Sequence, residues 1–418
     1  MSKHVVIVGA GVIGLSTAYY CAREGFRVTV IDRGEAVRDG ASFGNAGMIV
    51  PSHVIPLAAP GMVALGLKWM FNPASPFYIK PRLDAELFGW ALKFWKASTA
   101  AHVRRAAPLI AELSLASRAC FEELSALPEM KAGFEKRGLV MLCREAHTLH
   151  EEEKTAAYAR GLGMPAELLD AAAAAKLNPG ARMDVAGAIY FPLDCHLSPP
   201  RFLEALQREV ARLGVSLRWQ TEAGAFGKDG DRLRAIELTG GQEIAADEFV
   251  LCGGSWAPDL VADLGLKLPM QAGKGYSLTL ERPHHQLATP SILTEARVAV
   301  TPMGDTLRVG GTMEIAGRDL GVNPVRVRGI VDSFCRYFPD YQPKDFAEIK
   351  PWSGLRPCSP DGMPYVGRTQ KFSNLSVAAG HAMMGLSLAP ITGKIIANTL
   401  SGRPVAASLA ALLSPDRY

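Results

Sequence analysis

An arginine near the C-terminus has the clearest chemical role that the sequence offers. The stretch WSGLRPCSPDGMPYVG runs from Trp352 to Gly367, and Arg356 stands between a Gly-Leu pair and Pro357. A guanidinium fork can hold a carboxylate through two parallel hydrogen bonds. Residue type alone leaves two interpretations open, namely capture of a carboxylate ligand and a structural salt bridge to an acid elsewhere in the chain.

Other polar side chains could take part in the same chemistry. Tyr276 in KGYSLTL could hydrogen-bond a carboxylate or simply pack in a strand, and His53 and His196 lie in loops where a substrate contact competes with an ordinary exposed or core position. The acids Glu295 and Glu314 are expected to be solvated, as most such acids are. No cysteine, histidine and acid cluster has metal-ligand spacing and no Ser-His-Asp array is present, so we expect no metal site.

The N-terminus carries the element that would position a cofactor. His4 to Val8 is a short β-branched run that predicts a buried parallel strand, and a GxGxxG sequence and a helical pattern follow it. A second strand-like run ends in Asp32. In such a unit the glycines allow a tight turn and close approach of a pyrophosphate, while the acid binds a ribose. We predict a dinucleotide site that includes Gly9, Gly11, Val12, Ile13, Gly14 and Asp32.

Composition narrows the class of partner. The 418 residues are 48% hydrophobic and carry a net charge of only +4, without aromatics interleaved with basic runs, which argues against nucleic-acid binding and for a small-molecule ligand. Seven scattered cysteines without a CxxC pair favour reduced thiols and a cytoplasmic location. The chain enters a strand pattern directly, and no apolar run reaches membrane-spanning length, so we expect a soluble protein.

The segment after Asp32 resembles the FAD-dependent D-amino-acid oxidase superfamily. In that family a basic residue follows the acid and a GxSxxNAG segment then lies along the flavin, and the sequence has Arg33 and the run from Gly40 to Gly47 at these positions. The resemblance implies FAD rather than NAD. It assigns Ser42 to the pyrophosphate and the neighbourhood of the isoalloxazine to Asn45, Ala46, Gly47 and Met48.

Three later motifs are similar to those of bacterial D-amino-acid dehydrogenases of the small-subunit type: KGYSLTL, LRVGGTMEI, and WSGLRPCSPDGMPYVGR with AGHAMMG after it. By this resemblance Arg356 binds the substrate α-carboxylate and Tyr276 closes the pocket over it. His381 precedes a helix whose backbone N–H groups would face the flavin pyrimidine, unless it is only a capping residue. Gly354 stands where sarcosine-oxidase-like relatives carry a flavin-linked cysteine, which argues against covalent attachment. The further flavin contacts implied are Gly354, Gly380, His381, Met383, Met384 and Gly385.

The order of the elements predicts an α/β fold: a glutathione-reductase-like FAD-binding Rossmann domain with a discontinuous α+β substrate (cap) domain that contains an antiparallel sheet. Residues 1–52, 197–268 and 350–418 are assigned to the FAD-binding domain, and residues 53–196 and 269–349 to the cap. Within the first, Ala223 is expected to contact the adenine through its backbone, and Gly253 and Gly254 to close over the cofactor.

These expectations combine into a function. The chain would oxidise D-amino acids by hydride transfer from the α-carbon to flavin N5, with the amine proton lost to water, and D-proline or a hydroxy-D-proline is one substrate guess. An oxidase that uses O2 on glycine or sarcosine is the alternative. The amphipathic stretch from Leu83 to Lys96, with Trp69, Trp90 and Trp95 and the basic Arg104 and Arg105, suggests peripheral membrane contact and a quinone acceptor, or else core packing or a subunit interface.

Overall fold

A computed structural model describes residues 2–37, 40–70 and 75–418. Arg38 and Asp39, which fall inside the predicted cofactor loop, lie outside the described residues. The helices are α1 Val12–Arg23, α2 Met62–Met70, α3 Ala85–Ala97, α4 Ala100–Ser125, α5 Ala146–Gly161, α6 Ala171–Leu177, α7 Pro199–Arg212, α8 Ala257–Ala262, α9 Pro324–Tyr337, α10 Ala389–Leu400 and α11 Ala407–Leu413. Short 3-10 turns span Gly254–Trp256, Pro343–Phe346 and Ala382–Met384.

The first sheet is the predicted nucleotide-binding sheet. Its six strands, in spatial order, are β19 (Tyr365–Arg368), β20 (Leu375–Ala379), β13 (Glu248–Leu251), β1 (His4–Val8), β2 (Arg27–Ile31) and β9 (Ser216–Arg218). All neighbours are parallel except β19 and β20. Strand β1 is buried throughout because the sheet has helices on its face, including α1, α7 and α10 packed together.

The second sheet is larger and mixed. Its main path runs β18 (Trp352–Cys358), β14 (Gln271–Glu281), β17 (Thr306–Ile315), β16 (Val298–Met303), β15 (Ser291–Leu293), β5 (Leu139–Cys143), β7 (Gly187–Phe191) and β6 (Glu167–Asp170), and β4 (Phe77–Ile79) pairs with β17. Most pairs are antiparallel, whereas β15 with β5 and β17 with β4 are parallel. The predicted antiparallel sheet is therefore present.

Two small sheets complete the strands. β10 (Ala223–Asp229), β11 (Arg232–Leu238) and β12 (Glu243–Ala245) form an antiparallel meander, and β3 (Met48–Ile49) pairs with β8 (Cys195–His196). The α/β fold class is confirmed. The strand Trp352–Cys358, which the sequence assigned to the FAD-binding segment 350–418, is hydrogen-bonded into the nine-stranded sheet, while the remaining domain boundaries stay predictions.

The register of the large sheet decides which side chains can meet. In an antiparallel pair, residues directly opposite each other share a face and alternate residues switch faces. Arg356 lies opposite Gly273 and Gly354 opposite Gly275, so these four positions share one face. Tyr276 lies opposite Ser353, on the other face. Arg308 of β17 is opposite Thr279, on the same face as Arg356.

Candidate active site

The N-terminus of α1 is built to receive an anion. Gly11 is the N-cap residue and makes no side-chain cap hydrogen bond, and the Val12 N–H donates to Ser42 Oγ at 3.1 Å. A Cβ at Gly11 would contact no protein atom except Ser42 Oγ, at 3.6 Å. Packing within the protein thus leaves room for a side chain at Gly11. The lack of a side chain at Gly11 fits a site where a phosphate closely approaches the positive N-terminus of the helix.

The other two glycines of the motif have packing roles. Gly9 has φ of 104°, and a Cβ there would lie 2.5 Å from the Cys252 carbonyl oxygen. A Cβ at Gly14 would lie 1.8 Å from the Gly9 carbonyl oxygen. These contacts bring α1 close against β1 and β13, which aims the helix N-terminus at the carboxyl ends of the strands.

Asp32 and Arg33 follow β2 at the same edge of the sheet. Asp32 accepts from Ala10 N–H at 2.7 Å and from Gly34 N–H at 2.8 Å, which fixes the carboxylate beside the glycine turn. A carboxylate oxygen accepts more than one hydrogen bond, so the group can still bind a ribose. The Arg33 guanidinium lies 4.2 Å from the ring centroid of Trp256 and pairs with Glu222 at 3.8 Å.

Ala223 and the glycine pair after β13 border this edge. Ala223 opens β10 directly after the loop in which the Thr221 N–H donates to the Asp32 carbonyl at 2.8 Å. A Cβ at Gly253 would lie 2.6 Å from Leu260 Cδ1, so close packing against Leu260 explains the glycine at this position. Gly254 has φ of 54°, and nothing lies within 4 Å of a Cβ built there. Their proposed cofactor contacts remain predictions.

A buried arginine that sequence reasoning missed holds residues 40–48, the segment predicted to lie along the flavin and here called the flavin segment. Arg308 Nη1 donates to the carbonyl oxygens of Phe43 at 2.8 Å and Asn45 at 2.9 Å, and Nε donates to Thr279 Oγ1 at 3.1 Å. Burial lowers the pKa of Arg308 to about 10, so the cation persists at neutral pH. The Asn45 amide oxygen in turn accepts from the Gly47 N–H at 2.9 Å. The sequence feature that could have identified this residue is the single arginine in the otherwise apolar strand sequence LRVGG.

Arg356 lies across glycine backbone and pairs with no acid in the described part of the chain. A Cβ at Gly275 would lie 2.2 Å from Arg356 Nη1 and 2.4 Å from Nη2, so the guanidinium covers the space above that glycine. Nη1 donates to the Thr312 carbonyl at 2.8 Å. Among the described residues no carboxylate forms a salt bridge with Arg356, and burial lowers its pKa, because no acid compensates for the lost hydration. The structure therefore shows no structural ion pair between Arg356 and any described residue.

A bulge in β17 presents the carbonyl that Arg356 binds. Lys274 lies opposite Glu314 and Tyr276 opposite Gly311, so β17 has one more residue than β14 over this stretch. Thr312 sits in the bulge with φ of 64°, a left-handed conformation that is costly for a β-branched residue. The strain is the kind that persists when surrounding contacts over-determine the backbone, as often happens at functional sites.

Trp352 forms a wall between the flavin segment and Arg356. It shares the face of Gly354 and Arg356, two and four residues along β18. A Cβ at Gly354 would lie 2.0 Å from the far edge of the indole, and a Cβ at Gly44 would lie 2.2 Å from the same ring. The two glycines therefore make room for the indole. Packing within the protein thus explains Gly354, in addition to the flavin contact that the family resemblance implies.

Tyr276 does not lie beside Arg356, which corrects its predicted contact with the carboxylate. Its side chain is on the opposite face of the sheet, where the hydroxyl donates to Glu314 Oε2 at 2.9 Å. Glu314 is itself buried, not solvated as predicted, and pairs with Arg326 at 3.3 Å and Lys274 at 3.8 Å. Tyr276 thus belongs to a buried ionic network behind the bulge.

The two candidate histidines have different surroundings. His53 is half-buried, its Nδ1 lies 3.1 Å from Ser52 Oγ, and burial with the nearby Arg297 lowers its pKa to about 4. His196 is buried on β8, where its backbone is opposite Met48, and its Nδ1 has no hydrogen-bond partner among the described residues. Glu295 accepts from the Arg144 and Glu145 N–H groups and from the Tyr337 hydroxyl, which also makes it a structural acid.

The His381 imidazole is directed into the protein. Its Nε2 lies 3.0 Å from Thr392 Oγ1, so this nitrogen is engaged in a hydrogen bond within the protein. Burial lowers the pKa of His381 to about 3, so the ring is neutral. At His381 only the backbone can therefore serve the predicted flavin contact, and this contact remains a prediction. Gly380 has φ of 79°, and Met383 exposes half of its surface. α10 begins at Ala389 with Pro390 in its first turn, where the missing N–H of proline costs no helical hydrogen bond.

The site fits a flavin dinucleotide on the protein's own geometry. It has an uncapped helix N-terminus with room at Gly11, an acid at the end of β2 and a glycine-rich segment held by Arg308. Across the sheet lies the Arg356 cation, which pairs with no acid among the residues that the structure describes. A Rossmann sheet with such a site beside a β-sheet cap defines a dinucleotide-dependent oxidoreductase. The chain belongs to the DAO family of FAD dependent oxidoreductases, which its residues 4–399 match, and FAD is its cofactor.

Full-length similarity to individual proteins supports this assignment. The chain is 34% identical over 420 residues to a D-amino acid dehydrogenase of Paramagnetospirillum magneticum, with 99% of this chain and 98% of that one covered. It superposes on glycine oxidase from Geobacillus kaustophilus with a TM-score of 0.78 at 26% identity, covering 100% of both chains. L-proline dehydrogenase from P. horikoshii, with a TM-score of 0.75 at 18% identity and coverage of 100% and 97%, shares the fold.

Proposed function

We propose that the protein oxidises D-amino acids with FAD, and that Arg356 binds their α-carboxylate. The observation that carries this is the guanidinium of Arg356, which lies over Gly275 with one backbone hydrogen bond and no acidic partner in the described chain. A partly buried cation without an acidic partner costs stability, so a carboxylate ligand that completes it is the natural counterpart. The full-length similarity to a D-amino acid dehydrogenase favours the D-configuration.

The residues divide the work in the following way. The α1 N-terminus with Ser42 would bind the pyrophosphate, Asp32 the ribose, and the backbone from Asn45 to Met48 would lie along the ring system. Bound FAD supplies the two-electron acceptor that takes the α-hydrogen. Arg356 orients the substrate by its carboxylate, and the Trp352 indole restricts the space beside it. Orientation of this kind converts binding energy into rate.

Substrate identity and stereochemistry can be tested on the purified holoenzyme. Under argon, a panel of D- and L-amino acids that includes D-proline and a hydroxy-D-proline should bleach the flavin absorbance, with the D-isomers faster. Bleaching only by L-isomers would overturn the stereochemical proposal. No bleaching by any amino or imino acid would overturn the proposed function.

The role of Arg356 has its own test. Arg356→Ala should weaken amino-acid binding by about 2 to 5 kcal/mol, while carboxylate-free amines are affected much less. Arg356→Lys keeps the charge but loses the fork, so an intermediate effect is expected. A KM for amino acids that is unchanged in Arg356→Ala contradicts the assignment.

A second candidate function is an oxidase of glycine or sarcosine that uses O2, and the similarity to glycine oxidase over the whole chain favours it. The two candidates differ in reoxidation. Air should restore the bleached flavin slowly in a dehydrogenase and rapidly in an oxidase, whereas a quinone or an artificial dye should restore it rapidly in the former. Hydrogen peroxide formation at the rate of substrate loss would favour the oxidase.

The electron acceptor of the proposed dehydrogenase is a membrane quinone, reached from the surface of α3. Phe88, Leu92 and Trp95 lie at helical spacing and expose 51% to 63% of their surfaces. This patch is smaller than the sequence predicted, because Trp90 is buried and its Nε1 donates to the Cys358 carbonyl at 2.9 Å. No helix in the described part of the chain is long and apolar enough to cross a bilayer.

Vesicle binding tests this surface. The holoenzyme should sediment with anionic vesicles and lose that binding when Phe88, Leu92 and Trp95 are changed together to serine, because each exposed apolar side chain contributes to insertion. Replacement of the exposed Leu168 on β6 by serine is the matched control and should leave binding unchanged. Equal sedimentation of all three proteins would contradict the proposed contact.

A further inference from the structure

A series of three hydrogen-bonded side chains begins at Ser52, four residues after the flavin segment. Ser52 Oγ donates to Asp194 Oδ2 at 2.5 Å, and the Ser52 N–H donates to Asp194 Oδ1 at 3.0 Å. The same Ser52 Oγ lies 3.1 Å from His53 Nδ1. Asp194 is completely buried, while His53 is half-buried. The series therefore leads from a buried carboxylate to an imidazole near solvent.

The proton positions in this series follow from the donors available. Ser52 has one hydroxyl proton, which it donates to the ionised Asp194. Its oxygen must then accept from His53, so Nδ1 carries the imidazole proton and Nε2 has a free lone pair. A carboxylate that fixes the tautomer of a histidine in this way prepares the other ring nitrogen to act as a base.

The loop that carries His53 borders the proposed substrate pocket. Val50 and Val54 pack in one apolar cluster with Ala46 of the flavin segment and Ala299 of β16. The Val50 N–H donates to Ser387 Oγ at 3.0 Å, which ties the loop to the segment after His381. Ala299 is opposite Gly310, on the face of the large sheet that Arg356 occupies. His53 is thus held between the flavin segment and the strand face that binds the carboxylate.

We propose that His53 Nε2 is the base that deprotonates the substrate ammonium, with Ser52 and Asp194 as positioning residues that set its tautomer. This proposal rests on the proposed function. The ammonium N–H bond breaks and leaves its electron pair on nitrogen, while a bond forms between that proton and Nε2. The Nδ1 proton moves to Ser52 Oγ, and the Ser52 proton moves to Asp194 Oδ2. The imidazole ends neutral, and the carboxyl group ends protonated, so no other proton acceptor is required.

The ionisation of Asp194 would set the pH range in which this base is available. Burial raises the pKa of Asp194 to about 7, opposed by its hydrogen bonds from Ser52 and by Arg118 of α4. Tyr190 of β7 and the neighbouring Cys195 also feel its charge, and Arg297 faces His53. Above pH 7 the ionised carboxylate keeps the proton on Nδ1. Below pH 7, protonated Asp194 donates to Ser52 Oγ and the Ser52 hydroxyl donates to His53 Nδ1. The imidazole proton then lies on Nε2, which can no longer act as a base.

Rapid-reaction measurement of flavin reduction in the holoenzyme tests the relay. H53Q should lower the rate of reduction by a D-amino acid about 100-fold at pH 8, the usual scale for a lost general base. In D194N the amide NH2 would face Ser52 Oγ and reverse the tautomer, so a similar loss is expected together with loss of the rise in rate near pH 7. His285→Gln, at a histidine bound to the Gly180 carbonyl away from this loop, is the control.

The outcomes separate the relay from the proposed function. Wild-type rates and pH dependence in H53Q overturn the relay while leaving the function intact, whereas a wild-type flavin that no amino acid reduces overturns the function itself. If H53Q does not retain FAD, S52A removes only the hydroxyl and should show the same loss. Imidazole in solution should restore part of the rate to H53A, and a merely structural role for His53 predicts no such rescue.

Discussion

The guanidinium of Arg356 lies in the space that a side chain at Gly275 would fill, with Nη1 only 2.2 Å from the position of a Cβ there. Gly354, directly opposite Gly275 on β18, accommodates the Trp352 indole in the same way. A pair of facing glycines thus supports both the proposed carboxylate-binding group and the wall beside it. Neither glycine has positive φ, so both are there for space and not for backbone conformation.

Gly275→Ala should displace the Arg356 guanidinium without unfolding the protein, because the clash is with the far end of a flexible side chain. The KM for amino acids should rise about tenfold or more, equivalent to at least about 1.4 kcal/mol, with a smaller change in kcat. Gly89→Ala is the control, since nothing lies within 4 Å of a Cβ there. Steady-state kinetics of the two variants check this, and equal KM values would contradict the placement of Arg356.

Gly11→Ala and Gly14→Ala should fail in different ways. A Cβ at Gly11 meets only Ser42 Oγ at 3.6 Å, so thermal unfolding of the flavin-free chain should be unchanged while FAD binding weakens. A Cβ at Gly14 meets the Gly9 carbonyl at 1.8 Å, and overpacking of that kind destabilises the fold by about 1 to 3 kcal/mol. The flavin-to-protein ratio after dialysis and a melting curve distinguish them. Full FAD retention in Gly11→Ala would remove the pyrophosphate from this helix N-terminus.

Arg308→Met should release the flavin segment. The substitution keeps much of the apolar stem but removes donors to the Phe43 and Asn45 carbonyls, and bonds from a charged donor contribute about 1.5 to 3 kcal/mol each. FAD should dissociate more readily, and proteolysis near residues 40–48 should accelerate. Arg201→Met, at an exposed arginine, is the matched control. Retention of FAD equal to that of the control would show that the segment does not depend on Arg308.

Tyr276→Phe should change stability and leave substrate binding unaffected. Loss of the hydroxyl removes a donor from buried Glu314, at a cost of about 1 to 2 kcal/mol in the free energy of unfolding. KM should stay within about twofold of the wild-type value, because the ring lies on the other face of the sheet from Arg356. Chemical denaturation and kinetics on the same sample check both parts. A large rise in KM at unchanged stability would restore Tyr276 to the pocket.

The sequence by itself determined the parts of the molecule that depend on neighbours along the chain. The β1, α1 and β2 unit with Asp32 at its end follows from local signals: strand composition, glycine spacing and helical periodicity. Residue type marked Arg356 as a possible carboxylate-binding group, but only the resemblance to the family favoured that role over a structural salt bridge.

Only the tertiary structure decided which distant groups meet. Side chains along a strand alternate between the two faces of the sheet. Gly273 is paired with Arg356, and Tyr276 is three residues further along the same strand, so the tyrosine lies on the opposite face from Arg356. No local pattern in the sequence gives that register. The contacts of Arg308 with Phe43 and Asn45, and of Ser52 with Asp194, span 265, 263 and 142 residues. Such pairs form because burial leaves each polar group dependent on whatever partner the fold brings to it.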